Sequence, residues 1–415
     1  MPLRILLPAI GSSGDVHPVI GLGRALAARG HAVTVVTNDV FSEQIRSSGL
    51  GFIALGTRAE AEFIMRDPRL WHPREGFRCI FEHAVLPNIG RLYEIIAANR
   101  GPSTVVAATT LCLGARVAQE KLGVPTASLH LQPLAFRSLV DYGRLGPFDL
   151  GPRAPRLVKR ALFWLGDTVY VEPLVGPGLN AFRATLGLAP VRGVFSRYVH
   201  SPLLVLGLFP DWFAAPQVDW PANAHLTGFI LHDDDGREAL PADAEEFLRA
   251  GPAPVLVTPG SAAMDRGRFF RTTVEACQGL GVRAMLVTNH PGQIPAGLPD
   301  GICAFPYLPF SRVLPRCAAI AYHGGIGTLA QAVRAGVPHL VVPNSFDQPD
   351  NGQRVVRLGL GRCISQGAYG RRSAARALGE LLRSPETARR CRELAPRVDA
   401  HDSLERACAL IERLG

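Results

Sequence analysis

Two glycine turns carry the side chains best placed for chemistry. The stronger is His323–Gly324–Gly325–Ile326–Gly327–Thr328, which follows the apolar run Ala318–Tyr322. A buried strand that ends in such a turn and opens a helix is a ready anion site. Glycines let backbone amides approach the anion, and the helix N-terminus adds unpaired N–H groups and a favourable dipole. Gly324, Gly325 and Gly327 would allow that approach, Thr328 can donate its hydroxyl, and His323 can donate a ring N–H to a phosphate oxygen. The pattern is neither G-x-G-x-x-G nor a P-loop, because no Gly-Lys-Ser/Thr is present. The glycines alone could make a tight turn; the flanking His and Thr favour phosphate.

The second turn, Gly11–Ser12–Ser13–Gly14–Asp15–Val16–His17–Pro18, closes the first apolar run and offers a carboxylate and an imidazole two residues apart. On a helix they point roughly 200° apart, so they should not share a face. Asp15 could instead be a simple N-cap of a helix starting at Val16. Asp233–Asp234–Asp235 resembles a metal-binding D-x-D, but it lies among turn residues with no adjoining strand. It reads as solvated loop, and no metal site is expected. The 8 cysteines show no C-x-x-C pair and no zinc spacing, so they read as small core hydrophobes of a protein kept in a reducing cytosol.

The elements that position these turns alternate. Leu3–Ile10, His31–Thr37, Gly51–Leu55, Thr104–Ala108 and Pro125–His130 read as strands, with helices at Val19–Arg29, Phe41–Ser48 and Gly114–Leu122 between them. Continuous apolar strands separated by helices predict a parallel sheet covered on both faces. The alternation breaks down between Arg137 and His200, where basic residues outnumber acidic ones and Ala154–Leu165 reads as a helix with apolar and basic faces. Val205–Phe209 resumes strand character, and Trp220–Pro241 reads as linker. A second series follows, with strands at Val255–Pro259, Ala284–Thr288, Ala318–Tyr322 and His339–Pro343 and helices at Phe269–Leu280, Thr328–Ala335 and Asn351–Leu358. The expected division is a domain at 1–230, a linker at 231–242 and a domain at 243–415, whose last helix can pack back on the first domain. Two doubly wound α/β domains bind ligands beyond the carboxyl ends of their strands, so both should aim loops into a shared cleft.

Composition sets bounds on this reading. At 415 residues with 47% hydrophobic and 19% charged residues, the chain is long enough for two domains with sizeable cores. The net charge of +9 is almost all arginine and scattered, without a polybasic run, so no nucleic-acid partner is expected. Attraction to a diphosphate or to the inner face of a membrane remains open. No stretch approaches 18 uninterrupted apolar residues, so a cytoplasmic protein, at most peripheral at the membrane, is expected.

With Gly336–Val337–Pro338, Pro343 and Asp347–Gln348 ahead of Asn351, the His323–Thr328 turn resembles the donor signature of family 1 nucleotide-sugar glycosyltransferases. That resemblance implies a GT-B fold, two Rossmann-like domains facing across a cleft. It also implies that His323, Gly324, Gly325, Gly327 and Thr328 hold the donor diphosphate, with Ser261 of the Gly260–Ser261 pair. Asp347 and Gln348 would hydrogen-bond the sugar hydroxyls. Tyr307, Leu308 and Phe310 would bracket the nucleobase, unless that segment is an ordinary loop. In the same family the N-terminal turn carries the general base, an Asp or a His at the position of Asp15. Ser13, Gly14 and His17 would then lie on the acceptor side, with His17 the rival base. Some relatives that use histidine place a carboxylate relay after the fourth strand; this chain has Thr109–Thr110 there. No cofactor is implied beyond a dTDP- or UDP-linked sugar as co-substrate.

Gly11–Val16, Asp67–Trp71, Gly114–Arg116, Leu208–Phe213 and Asp219–Pro221 resemble the rhamnosyltransferases of rhamnolipid synthesis. This implies L-rhamnose moved from dTDP-rhamnose to a hydroxy-fatty-acid lipid, while the donor turn leaves glucose from UDP-glucose open. The acceptor would be an apolar hydroxylated molecule, a lipid or a polyketide, lined by Phe77–Leu86 and Leu131–Val140 if those are not plain core. Two other readings share the architecture: a catalytically silent auxiliary protein, and a sugar-nucleotide 2-epimerase.

Overall fold

The computed structural model describes residues 1–72, 75–145, 148–233, 239–260 and 267–415. The chain forms two compact units, Met1–Ile230 with Asp399–Gly415, and Leu231–Val398.

The first unit is built on a sheet of seven parallel strands: β1 (Arg4–Pro8), β2 (Ala32–Thr37), β3 (Gly51–Ala54), β4 (Thr104–Thr109), β5 (Thr126–His130), β6 (Leu204–Gly207) and β7 (Ala224–Leu226), in the order β3-β2-β1-β4-β5-β6-β7. Every residue of β4, Thr-Val-Val-Ala-Ala-Thr, is buried, because helices cover both faces of the sheet. Ile5, Leu7 and Val35 pack on Val19, Leu22 and Leu26 of α1 (Ser13–Ala28). Leu6, Val36 and Val106 face Ile89 and Leu92 of α2 (Asn88–Asn99) and Val117 of α3 (Leu113–Leu122). Between β5 and β6 the chain makes an excursion that contains α4 (Arg156–Gly166) and α5 (Glu172–Thr185).

The second unit repeats the scheme with β8 (Val255–Thr258), β9 (Ala284–Val287), β10 (Ile302–Phe305), β11 (Ala319–Tyr322), β12 (His339–Val341) and β13 (Gly361–Cys363), parallel throughout and ordered β10-β9-β8-β11-β12-β13. Its helices include α6 (Gly267–Leu280), α7 (Ile326–Arg334), α8 (Gln348–Arg357) and α9 (Arg371–Leu382). In both units the strand order reverses beside the first strand, between β1 and β4 and between β8 and β11. That reversal leaves a crevice at the carboxyl ends of the strands.

The chain then returns to the first unit through α10 (Ala400–Glu412). Ala407, Cys408 and Ile411 are buried in the same core as Leu3, Leu22 and Leu26. Arg29 bonds Glu405 at 2.7 Å and Glu412 at 2.7 Å, and His31 contacts Glu412 at 2.8 Å.

The structure corrects several sequence expectations. Helix α1 starts at Ser13, six residues before Val19, because Pro18 and the glycines that blur the apolar spacing sit inside it. The stretch read as linker from Trp220 contains β7, too short to show a pattern. Residues 231–242 count with the second unit, and that unit ends at Val398. Of the acidic run, Asp233 accepts the Ser311 N–H at 2.7 Å, so it tethers a loop; Asp234 and Asp235 lie outside the described residues.

Candidate active site

In the first unit, Ser12 is the N-cap of α1 and Asp15 is the third helical residue, not an N-cap at Val16. The Asp15 carboxylate reaches back: Oδ2 accepts the Ser12 N–H at 2.8 Å and the Ser12 hydroxyl at 3.4 Å. This is a capping box, with a carboxylate in the first turn of a helix where the dipole favours negative charge. Burial works the other way and wins. It raises the Asp15 carboxyl from 3.8 to about 6, against the Ser12 hydrogen bonds, which lower it. Such a group is mostly ionised at neutral pH yet basic enough to take a proton.

The turn after β4 closes over the same place. The Ile10 N–H donates to Thr109 Oγ1 at 3.4 Å, and Thr109 Oγ1 lies 3.5 Å from Cys112 Sγ. Next to it, Thr110 Oγ1 is 2.8 Å from His130 Nδ1, and His130 Nε2 is 2.9 Å from His200 Nδ1. Burial holds both imidazoles neutral: His130 falls well below its ordinary value and His200 to about 4, with Arg116 and Arg137 adding repulsion. Sequence reasoning missed this Thr–His–His hydrogen-bonded chain, since its members lie up to 90 residues apart and carry no spacing signal. Ser13, Gly14 and His17 all lie on the first two turns of α1, Gly14 exposed and the other two half-buried. Of the apolar segments, Phe81 stacks on Phe77 at 4.5 Å and Phe136 on Trp220 at 4.6 Å. Phe81 and Phe136 are buried, so much of both segments is core.

In the second unit, β11 ends at Tyr322 and Gly325 caps α7 without a side chain. The first backbone bond of α7 runs from the Leu329 N–H to the Gly325 carbonyl at 3.0 Å. The amides of Ile326, Gly327 and Thr328 are therefore left at the helix start. Among the described residues, nothing lies within 4 Å of where a Gly327 side chain would begin. Gly324 needs its glycine: φ is +92°, and a Cβ would sit 2.8 Å from Val341 and 3.1 Å from the Gln348 carbonyl.

The His323 ring lies between two glycines. A Cβ on Gly260 would come within 2.6 Å of the ring, and one on Gly325 within 2.4 Å of Nε2. Gly260 follows β8 and His323 follows β11, the two strands flanking the reversal of strand order, so these turns meet where this fold places ligands. Ser261, expected beside them, lies outside the described residues.

Asp347 immediately precedes α8. Asn351 ties it to the glycine turn, donating from Nδ2 to Asp347 Oδ2 at 2.7 Å and to the Gly324 carbonyl at 2.9 Å. Gln348, expected on the sugar, is buried, and its Oε1 accepts the N–H groups of Asn344 at 2.9 Å and Ser345 at 3.3 Å. That oxygen shapes the loop instead of reaching outward. Between them Phe346 holds φ at +58°, a left-handed conformation uncommon outside glycine. Asn344 Nδ2, Ser345 Oγ and Asn351 Oδ1 are buried without a hydrogen-bond partner among the described residues. Backbone strain and unsatisfied polar atoms in one loop are the usual marks of a binding segment. Tyr307 is exposed, Leu308 buried and Phe310 half-buried, so one aromatic ring of that segment is presented outward.

Among the described residues, one cluster has ligand-type atoms: Asp67, Cys79 and His83. The Arg69 guanidinium bonds two of the three, 2.7 Å from Asp67 Oδ2 and 3.0 Å from His83 Nε2, and its hydrogen bonds hold the Asp67 carboxyl at about 2. The geometry is that of an ion-pair cluster.

Residues 5–134 match the glycosyltransferase family 28 N-terminal domain, and residues 284–403 match the erythromycin biosynthesis protein CIII-like C-terminal domain. The O-mycaminosyltylonolide 6-deoxyallosyltransferase of Streptomyces fradiae is 30% identical, over 99% of this chain and 97% of that protein. This protein belongs to the family 1, GT-B glycosyltransferases. Among solved GT-B structures, the glycotransferase of kitacinnamycin superposes with a TM-score of 0.78 at 22% identity, covering 100% of this chain and 99% of its own. The spinosyn rhamnosyltransferase SpnG complexed with thymidine diphosphate does so with 0.67 at 17% identity, covering 98% and 99%. For a GT-B glycosyltransferase, the two glycine turns fall on the switch points of its two Rossmann-like units.

Proposed function

We propose that this glycosyltransferase inverts the anomeric centre as it moves a sugar from a dTDP- or UDP-linked donor to a hydroxyl of an apolar natural-product acceptor. The observation that carries the mechanism is the Asp15 carboxyl, raised to about 6 on the leading turn of the first unit. As the acceptor oxygen bonds to the anomeric carbon, the bond from that carbon to the diphosphate oxygen breaks, and Asp15 takes the hydroxyl proton. A single displacement needs no second carboxylate.

The departing diphosphate needs compensating charge. The free amides of Ile326, Gly327 and Thr328, the α7 dipole, the Thr328 hydroxyl and the His323 ring supply donors without a metal ion. Asp347 and the strained loop before it would take the sugar hydroxyls, and Tyr307 would cover the base.

The names of several relatives bear on the substrates. A relative in Streptomyces fradiae is a 6-deoxyallosyltransferase acting on O-mycaminosyltylonolide, and SpnG has been solved with thymidine diphosphate and with spinosyn aglycone. These support a natural-product aglycone over a hydroxy-fatty-acid lipid and a thymidine-linked deoxysugar as the first donor to test, with glucose the second, since a vancomycin aglycone glucosyltransferase of Amycolatopsis orientalis is 28% identical. The test is a panel of dTDP- and UDP-sugars with macrolide aglycones and a hydroxy-fatty-acid dimer, read by mass spectrometry and by the anomeric coupling of the product. Retention of configuration, or transfer only to the lipid, would overturn the corresponding half of the reading.

A further inference from the structure

The excursion between β5 and β6 presents apolar side chains that no described part of the chain covers. Phe148, Leu157, Val158, Trp164, Leu165 and Val169 are all exposed, and they account for half of the large hydrophobics exposed on the described chain. Leu157 is 76% exposed, Trp164 65% and Val169 66%. On α4, Leu157, Ala161, Trp164 and Leu165 recur at helical spacing and form one stripe. Arg156 and Arg160, one turn apart, run along its edge, and exposed Arg153 precedes the helix.

The opposite face of α4 is already satisfied. Lys159 is buried and donates to the Val140 carbonyl, and the Phe163 ring meets Tyr142 edge-on at 4.8 Å. Arg137 lies over the same Phe163 ring at 5.4 Å and bonds Asp167 at 2.5 Å. The helix is therefore held by its own inward face, and the outward stripe serves no packing within the first unit.

We propose that this face of α4 docks on an anionic lipid bilayer. A helix whose exposed arc is apolar with a tryptophan, and whose border is arginine, lies in the plane of the membrane interface. There Trp sits at headgroup level, and guanidinium groups meet lipid phosphates bidentately. Charge complementarity selects this occupant: from 150 to 166 the exposed charged residues are Arg153, Arg156 and Arg160, with no Asp or Glu among them. No helix of the described residues is long and apolar enough to cross a membrane. The proposal does not rest on the donor or acceptor reading above.

Co-sedimentation of the full chain with phosphatidylglycerol–phosphatidylcholine vesicles tests it, beside vesicles of phosphatidylcholine alone. The expected result is binding to the anionic vesicles only, weakened at least about tenfold at 0.5 M salt, where screening is strong. Arg156→Glu with Arg160→Glu, and separately Trp164→Ser with Leu165→Ser, should each reduce binding by a similar factor while transfer to a water-dispersed acceptor and the Tm stay unchanged. No binding to anionic vesicles overturns the proposal, as does binding indifferent to both pairs of changes. Self-association abolished by Trp164→Ser with Leu165→Ser would assign the face to a second copy and likewise overturn it.

Discussion

Gly11 gives its side-chain space to Asp15. A Cβ at Gly11 would lie 2.1 Å from Asp15 Oδ2 and 2.4 Å from its Cγ, at a backbone φ of +148°. Gly11→Ala must therefore displace the carboxylate and strain the turn. It should cost about 2 kcal/mol of stability and lower turnover more than donor affinity. Thermal unfolding together with steady-state kinetics checks this; an alanine variant with the parent's Tm and kcat would show that the carboxylate does not depend on this turn.

Asp15→Asn separates catalysis from stability. Turnover should fall at least about a hundredfold, in the range for loss of a general base, with donor affinity kept. The folded carboxyl sits at about 6 against an ordinary 3.8. The folded state therefore holds its proton more tightly, and the ionised carboxylate costs stability above pH 6, at most about 3 kcal/mol. That cost fades as the pH drops through 6 towards 4. Asn can still accept the Ser12 N–H, so the Tm of the variant at pH 8 should not drop below the parent's.

The same carboxyl sets the acid limb of the pH profile. kcat/KM should fall tenfold per pH unit below about 6, and the limb should vanish from the residual activity of Asp15→Asn. A limb that persists in the variant would assign the proton transfer to another group, with His17 first in line.

Gly260→Ala acts on His323, because its Cβ would come 2.6 Å from the ring. Nucleoside diphosphate affinity by titration calorimetry should fall at least about tenfold. Adding Gly260→Ala to His323→Ala should cost much less than it does alone, since residues in contact are not additive. Full additivity would place the effect elsewhere.

Asn351→Ala removes the bridge between the Gly324 carbonyl and Asp347. Breaking two hydrogen bonds to partly buried acceptors, one of them charged, should cost about 2–3 kcal/mol and raise the donor KM. Transfer should survive EDTA, because backbone amides and the helix dipole need no metal to stabilise the leaving diphosphate; an absolute requirement for Mg²⁺ would contradict that account.

The sequence alone determined the parallel sheets and the glycine turns, because these are written locally. Val105–Ala108 and Ala319–Ala321 are short unbroken apolar runs bounded by turn residues, as strands buried on both faces are, and the turn at His323–Thr328 is legible from glycine spacing. Only the tertiary structure decided which side chains act at those turns. Asp15 takes its helical place from the local capping box with Ser12, but its carboxyl is raised by the burial around it. Gln348 turned out to hold the 344–345 loop, and His130 met His200 across 70 residues. The sequence already allowed the last helix to pack back on the first domain, and the core of Leu3 and Leu22 decided that it does. Burial and contact between distant segments set these outcomes, and they come from long-range packing, which local periodicity does not encode.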